Sequence, residues 1–277
     1  MDTWGWVLYL VPKNLLSLIV GIVVSLPLPN GLRIFSMKWF AKRYNINMDE
    51  AEKNIEEYKS INDLFTRKLK PGIRPIASSN LVHPADSEIT VAQKIKPNQF
   101  IQAKGKSYSL TSVAGGGFVE EGYFEEGYHL TYYLCPTDYH RVHSPVDGKI
   151  LGYTYLPGRL WPVNPWSVEH VSQLFAVNER VTIWIESSNG VVGVNMVGAT
   201  NVGKITLAFD QEFITNNKHF RKDEVKKYDQ PISVKKGDEL GTFNMGSTVL
   251  LFLPKSIVPE AFDMELPQKV KYGAKLL

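Results

Sequence analysis

Residues 243–253 read FNMGSTVLLFL, a hydrophobic run of strand character interrupted by Gly246-Ser247-Thr248. Glycine inside a strand pattern marks a bulge or a close approach of backbone or ligand, because it removes a packed side chain. The ordinary meaning of a Gly-Ser pair is a turn or bulge. The neighbouring runs extend the β reading along the chain. YHLTYYL, KILGYTYL, RVTIWIE, VVGVNMVGAT and KITLAF are short, rich in β-branched and aromatic residues, and separated by Gly, Pro and Asn. The body of the chain therefore reads as mostly β.

The first seventy residues differ. Residues 15–29, LLSLIVGIVVSLPLP, are strongly apolar, but Pro27 and Pro29 end the run short of the ~20 residues that a spanning helix needs. Asp2 opens the chain, Lys13 is the first cation, and no small-residue cleavage site follows, so the segment is expected to be retained rather than removed as a signal. Trp4, Trp6 and Tyr9 precede it. In LRIFSMKWFAKRY, which follows, Leu32, Phe35 and Trp39 recur at helical spacing while Lys38, Lys42 and Arg43 supply charge. Two such elements in succession describe interfacial membrane helices. Asn47 with Glu50, and Ser60 with Asp63, signal helix entries ahead of AEKNIEEY and LFTRKL. KPGIRPIASSN at 70–80 marks a boundary. The expected fold class is α+β: N-terminal membrane-associating helices over 1–70, and a β-rich catalytic domain over 71–277.

At 277 residues and 44% hydrophobic content the chain has material for a sizeable core. Its 31 basic residues are nearly offset by 28 acidic ones, for a net charge of +3, so nucleic acid is not an expected partner. The lone cysteine, Cys135, excludes an intramolecular disulfide and reads as a small core residue in LTYYLCP. The charged run RKDEVKKYD at 221–229 reads as a solvated loop or hairpin tip. VAGGGF at 113–118 has no following Lys-Ser/Thr and reads as a flexible connection, not a phosphate loop.

PADSEI (84–89) and PVDGKI (145–150) share Pro-x-Asp-x-x-Ile, which suggests two similar turn-and-strand units and makes Asp86 and Asp147 ordinary turn residues on their own. The densest polar constellation is CPTDYHRVHSPVDG, holding Asp138, His140, Arg141 and His143. On a strand the two histidines face opposite sides; a turn could bring them together. A zinc site would need a third ligand, and neither His-Glu-x-x-His nor paired cysteines are present, so acid–base or substrate contact is expected and no metal. His83, His129, His170 and His219 stand alone and read as packing or surface residues.

HPADSEI, DYHRVHSPVDGKI, YLPGRLWPVN, LFAVNERV, VGATNVGKI and KKGDELGTFNMGSTVLLFLP, in this order, resemble the bacterial phosphatidylserine decarboxylases over nearly the whole chain. One departure is Ser87, where that family usually has glycine after Pro-Ala-Asp. The resemblance implies self-cleavage of the Gly246–Ser247 bond into a large chain (1–246) and a small chain (247–277), with Ser247 becoming a pyruvoyl group. It implies His143, oriented by Asp86, as the base that activates the Ser247 hydroxyl. It further implies decarboxylation of phosphatidylserine through a Schiff base with the pyruvoyl carbonyl, which serves as an electron sink without a separate cofactor. His140 would contact or protonate substrate, and Trp161 and Val163 would shape the pocket near the lipid. Expected partners are phosphatidylserine in the membrane and the two chains for each other, with a homodimer allowed; the expected location is the cytoplasmic side of the bacterial membrane, held peripherally.

Two other classes stay open on the residues. A lipid-directed serine hydrolase could use Ser247, His143 and Asp86 with an intact chain, although Met-Gly-Ser-Thr-Val lacks the Gly-x-Ser-x-Gly elbow. A membrane-bound binding module resembling biotinyl or lipoyl domains would explain the paired Pro-x-Asp turns and KKGDELG, and would keep its chain whole.

Overall fold

The continuous apolar runs become the inner strands of one large antiparallel sheet. The computed structural model describes residues 12–96, 100–103, 106–200, 204–216, 222–244, 247–259 and 262–277. Its strands are β1 (Ser87–Lys94), β2 (Phe100–Ala103), β3 (Lys106–Tyr108), β4 (Tyr128–Leu134), β5 (Arg141–His143) and β6 (Gly148–Leu156). Then come β7 (Arg180–Ser187), β8 (Gly190–Gly198), β9 (Ile205–Leu207), β10 (Glu224–Val234), β11 (Glu239–Phe243), β12 (Ser247–Leu253) and β13 (Gln268–Val270). The large sheet runs β10-β6-β7-β8-β12-β4-β1-β13; a small one runs β5-β11-β9, and β2 pairs with β3.

In the large sheet β12 is an inner strand, bonded to β4 on one side and β8 on the other. Val249, Leu250, Leu251 and Phe252 are all fully buried, which happens to consecutive residues only when both faces of a strand are covered. Each such side chain contributes about 2 kcal/mol of burial, so β12 is held on the order of 8 kcal/mol by these four alone. The β7–β8 hairpin is tight because Gly190, at φ +124°, lies against Tyr123, whose hydroxyl a Cβ would approach to 2.8 Å.

The paired Pro-x-Asp sequences are one structural unit built twice. Asp86 precedes β1 and Asp147 precedes β6. Val82 donates to the Pro145 carbonyl and His143 to that of Pro84, a reciprocal pair related by a local two-fold axis. His83 exchanges backbone bonds with Gly273 and Ala274, just as Ser144 does with Gly237 and Asp238. The Asp86 carboxylate accepts from the backbone N–H of Tyr272 at 2.9 Å, and that of Asp147 from the N–H of Lys236 at 2.9 Å. The turns themselves match in sequence, VKYGAKL at 270–276 against VKKGDEL at 234–240, with Gly273 at φ +79° and Gly237 at φ +83°. A Cβ on either glycine would strike Ile76, which wedges between the two turns. Ser87 is the counterpart of Gly148: a Cβ on Gly148 would come within 2.2 Å of the Glu186 carbonyl oxygen, whereas Ser87 fits, its hydroxyl donating to Ala85.

The N-terminal part is less helical than its composition suggests. Helices α1 (Lys13–Ser25), α2 (Asn30–Arg43) and α3 (Ile61–Phe65) form, but 48–50 and 55–57 are single 3-10 turns. Asn54 and Glu57 close a capping box, and Tyr58 turns inward, so AEKNIEEY does not continue as a helix. Met37, Phe40, Ala41, Ile46, Tyr58, Leu64 and Phe65 make a second small core. The charged run expected as a loop is instead the edge strand β10 from Glu224 onward, with alternating exposure and Lys226 bonded to Asp210 at 2.6 Å. VAGGGF is not a loose connection: it ends α4 (Leu110–Ala114), whose carbonyls at Val113 and Ala114 are taken by Arg180, Asn195 and Thr182. Two short helices, α5 (Pro165–His170) and α6 (Leu174–Val177), follow β6. Cys135 is half-buried at the end of β4, not a core residue.

Candidate active site

The small sheet ties the segment holding the two histidines to the strand that precedes Gly246 in the chain. β5 pairs with β11 in the register Glu239 opposite His143 and Thr242 opposite Arg141. The Phe243 N–H then donates to the His140 carbonyl at 3.0 Å. Three residues later the chain reaches Gly246, which lies outside the described residues, as do Met245 and the side chain of Ser247. The Ser247 backbone opens β12, opposite Leu134 of β4 and Gly198 of β8.

His143 is buried, and burial holds its pKa below the ordinary value. Nδ1 lies 2.7 Å from the Gly237 carbonyl, which can only accept, so Nδ1 carries the proton and Nε2 the lone pair. The Tyr139 hydroxyl, 3.3 Å away, donates to Nε2. The ring lies flat on Tyr272, centroids 3.8 Å apart and planes 4° apart. His143 is thereby gripped from both duplicated turns, by a carbonyl of one and a ring of the other.

Asp86, only 1% exposed, makes no hydrogen bond to His143 among the described residues. Its oxygens are taken by Arg74, whose Nη2 reaches Oδ2 at 2.7 Å, by Lys271 at 3.1 Å and by the Tyr272 N–H. In place of the orienting contact expected from Asp86, His143 Nδ1–H donates to the Gly237 carbonyl, and Asp86 and His143 meet through Tyr272. Arg74 also reaches Glu50 at 2.6 Å, tying this carboxylate to the N-terminal part.

His140 faces elsewhere, as alternate positions about a strand require. Its ring rests on Phe65 of α3 at 3.9 Å, and Nδ1 donates to the Asp138 carbonyl at 2.8 Å. Nε2 is a buried lone pair without a hydrogen-bond partner among the described residues, and burial lowers the pKa to about 3. At neutral pH this ring is an acceptor and not an acid. Trp161 and Val163 are buried in the main core, with the Lys13 ammonium 3.7 Å above the Trp161 ring.

A cavity of about 490 Å³ opens beside Asn244, between α1 and the small sheet. Leu18, Ile22 and Leu26 line one wall; Asn62, Lys204 and Asn244 supply its polar side. Neither Trp161 nor Val163 lines it. Outward, α1 and α2 expose Leu15, Ile19, Ile22, Val23, Phe35 and Trp39. Residues 1–11, with Trp4, Trp6 and Tyr9, lie outside the described residues, as does His219. Among the described residues no helix is long and apolar enough to cross a membrane, and no group of three His, Cys, Asp or Glu is arranged to hold a metal ion.

The family model described as phosphatidylserine decarboxylase matches residues 61–277, the segment from α3 to the C-terminus that contains every residue of this site except Glu50 and the α1 wall of the cavity. The chain belongs to the phosphatidylserine decarboxylase family. Its relatives include the phosphatidylserine decarboxylase proenzyme of Myxococcus xanthus, 40% identical over 259 residues, spanning 92% of this chain and 91% of the relative. That of Methylobacillus flagellatus is 42% identical over 252 residues (90% and 88%). That of Dechloromonas aromatica is 39% identical over 273 residues, 97% of this chain and 95% of the relative, so the similarity to this family extends into the N-terminal helices.

Residue-by-residue reading missed Arg74, Tyr139, Gly237 and Tyr272. Arg74 sat in a stretch read as a boundary. Tyr272 had a signal, the likeness of VKYGAKL to VKKGDEL, which pairs it with a turn beside the histidines.

Proposed function

We propose that this chain decarboxylates phosphatidylserine after cutting itself between Gly246 and Ser247, so that Ser247 becomes a pyruvoyl group. The observation that carries the reading is the ladder from β5 to β11: it ties the backbone at His140 and His143 to the strand that ends at the cleavage segment, with Nε2 of His143 held as a lone pair. In self-cleavage the Ser247 hydroxyl attacks the Gly246 carbonyl while His143 Nε2 takes its proton, the Tyr139 hydroxyl giving way. The Gly246–Ser247 C–N bond then breaks as the proton passes to the freed Ser247 amine. Loss of the Ser247 α-proton expels Gly246 as a carboxylate from the ester, and the dehydroalanine left at 247 tautomerises to an imine that water hydrolyses with release of ammonia.

The residues present fit the group so formed. A new chain end at 247 would begin β12, held by β4 and β8, and across from it Gly198 carries no side chain. The pyruvoyl carbonyl would supply the electron sink that the bond between the substrate's α-carbon and its carboxylate needs to break. His140, neutral and aimed by Asp138, offers an acceptor to the substrate headgroup. Lys204 and Asn244 supply donors for a phosphodiester, and the apolar wall of α1 suits acyl chains. The exposed apolar residues of α1 and α2, next to Lys38, Lys42 and Arg43, support peripheral attachment to the cytoplasmic face of a bacterial membrane.

Intact mass of freshly purified protein tests this. Two chains broken at 246/247 are expected, the smaller lacking an amino terminus, and His143→Ala should stay whole. His140→Gln should cleave and then decarboxylate poorly. A single intact chain with full decarboxylase activity would refute the reading.

A further inference from the structure

Lys236 and Tyr272 occupy equivalent places in the duplicated turns, and their backbone N–H groups do the same work, each donating to the aspartate before a strand. Their side chains do not. The Lys236 ammonium bonds the carbonyls of Ala77 and Ser79, a purely structural tie. The Tyr272 ring instead covers the face of His143, at the position where the local two-fold puts Val82 opposite Lys236. One residue thus holds Asp86 by its main chain and His143 by its side chain, and it lies just after β13.

Resting on the reading that His143 is the base for self-cleavage, we propose that Tyr272 is a positioning residue for that step, and that docking of the C-terminal turn arms the base. β13 pairs with β1 beginning at Ser87, directly after Asp86, so the same docking that closes the sheet edge delivers Tyr272 to the imidazole. Tyr272 is the ring packed closely on His143, while the Tyr139 ring lies farther off, its centroid 5.6 Å away. A chain still being completed would therefore keep its Gly246–Ser247 bond. Removing the ring would leave the imidazole held only at its edges, by the Gly237 carbonyl and the Tyr139 hydroxyl, and would open its face to water. The charged and titratable groups facing His143 from the surrounding elements would all remain: Asp86 before β1, Tyr139 and Arg141 along the β5 segment, and Glu239 on β11.

The test is the first-order rate of chain cleavage in the full-length protein made by cell-free synthesis, followed on gels from pH 5.5 to 8.5. Tyr272→Leu and Tyr272→Ala keep the main-chain donor and lose the flat ring; they should cleave about ten-fold more slowly or worse, as expected for a misplaced base. Their acid limb should move to higher pH, because water access raises the His143 pKa towards about 6.5. Tyr272→Phe should restore both rate and profile. Lys236→Ala should lower thermal stability without moving the profile. Wild-type rate and profile in Tyr272→Leu would overturn the proposal, as would Tyr272→Phe being as slow as Tyr272→Leu, since stacking needs no hydroxyl. Cleavage of His143→Ala at the wild-type rate would instead sink the assignment of the base, leaving the two failures distinct.

Discussion

Lowering the pH from 7 to 5 should remove roughly half the stability of a typical domain from this protein. His83, His129 and His140 are 4%, 1% and 0% exposed. Burial lowers their pKa values from about 6.5 to about 4, 4 and 3. Depressed values mean that the folded rings stay neutral while the unfolded chain takes up protons below pH 6.5. Stability is therefore full above that pH and drains as the pH falls towards 4 and then 3. At pH 5 each histidine is 1.5 units below its unfolded value, at about 1.36 kcal/mol per unit, so each costs about 2 kcal/mol and the three about 5–6 together. That is a large part of the 5–15 kcal/mol typical of a native domain. Urea unfolding of Ser247→Ala, which keeps one covalent chain, measures the loss at the two pH values. His129 is the cleanest probe, because neither of its ring nitrogens has a partner among the described residues. His129→Leu in the same background should lose about 2 kcal/mol less between pH 7 and 5. A total loss below about 2 kcal/mol, or an unchanged loss in His129→Leu, would refute the reasoning.

Arg74→Met leaves Asp86 buried with only Lys271 and one backbone donor, and should destabilise the Ser247→Ala precursor by about 3 kcal/mol in denaturant titration; adding Asp86→Asn should recover a good part of it, and strict additivity would count against the pairing. Replacing exposed Phe35 and Trp39 together by Gln should reduce binding to anionic vesicles at least ten-fold, since each large ring contributes about 2 kcal/mol on insertion; unchanged sedimentation would show that α2 does not face lipid.

How much of this was legible depended on how local each interaction is. RVTIWIE, VVGVNMVGAT and TVLLFL read as strands from their β-branched and aromatic residues, whereas their place inside the sheet, covered on both faces, depends on neighbours far along the chain. β10 did not read as a strand, since an edge strand alternates charge with half-buried residues, and EVKKYD looks the same as a solvated loop until a neighbour is known. AEKNIEEY has the composition of a helix; Asn54 and the inward Tyr58 override it through contacts with α2 and α3. In the candidate site, His140 and His143 stood out as a local cluster, whereas the resemblance was needed to pick Ser247 and Asp86. Arg74 and Tyr272 were out of reach for a different reason. Their partners lie 12 and 186 residues away in the chain, and no periodicity encodes such a meeting. The Pro-x-Asp echo pointed to a repeat, but its second half, Val-Lys-x-Gly-x-x-Leu, becomes meaningful only once both turns are seen receiving the same bonds.

That repeat divides labour between two copies of one structural element. A single copy must satisfy folding and chemistry with the same few positions, and every innovation then risks the scaffold. With two, both copies keep the Asp-anchored bend while the Asp147 copy contributes the imidazole of His143 and the Gly237 carbonyl that holds it, and the Asp86 copy the phenol of Tyr272 that covers it. The chemistry here needs no backbone beyond the shared bend, only different side chains at its equivalent positions.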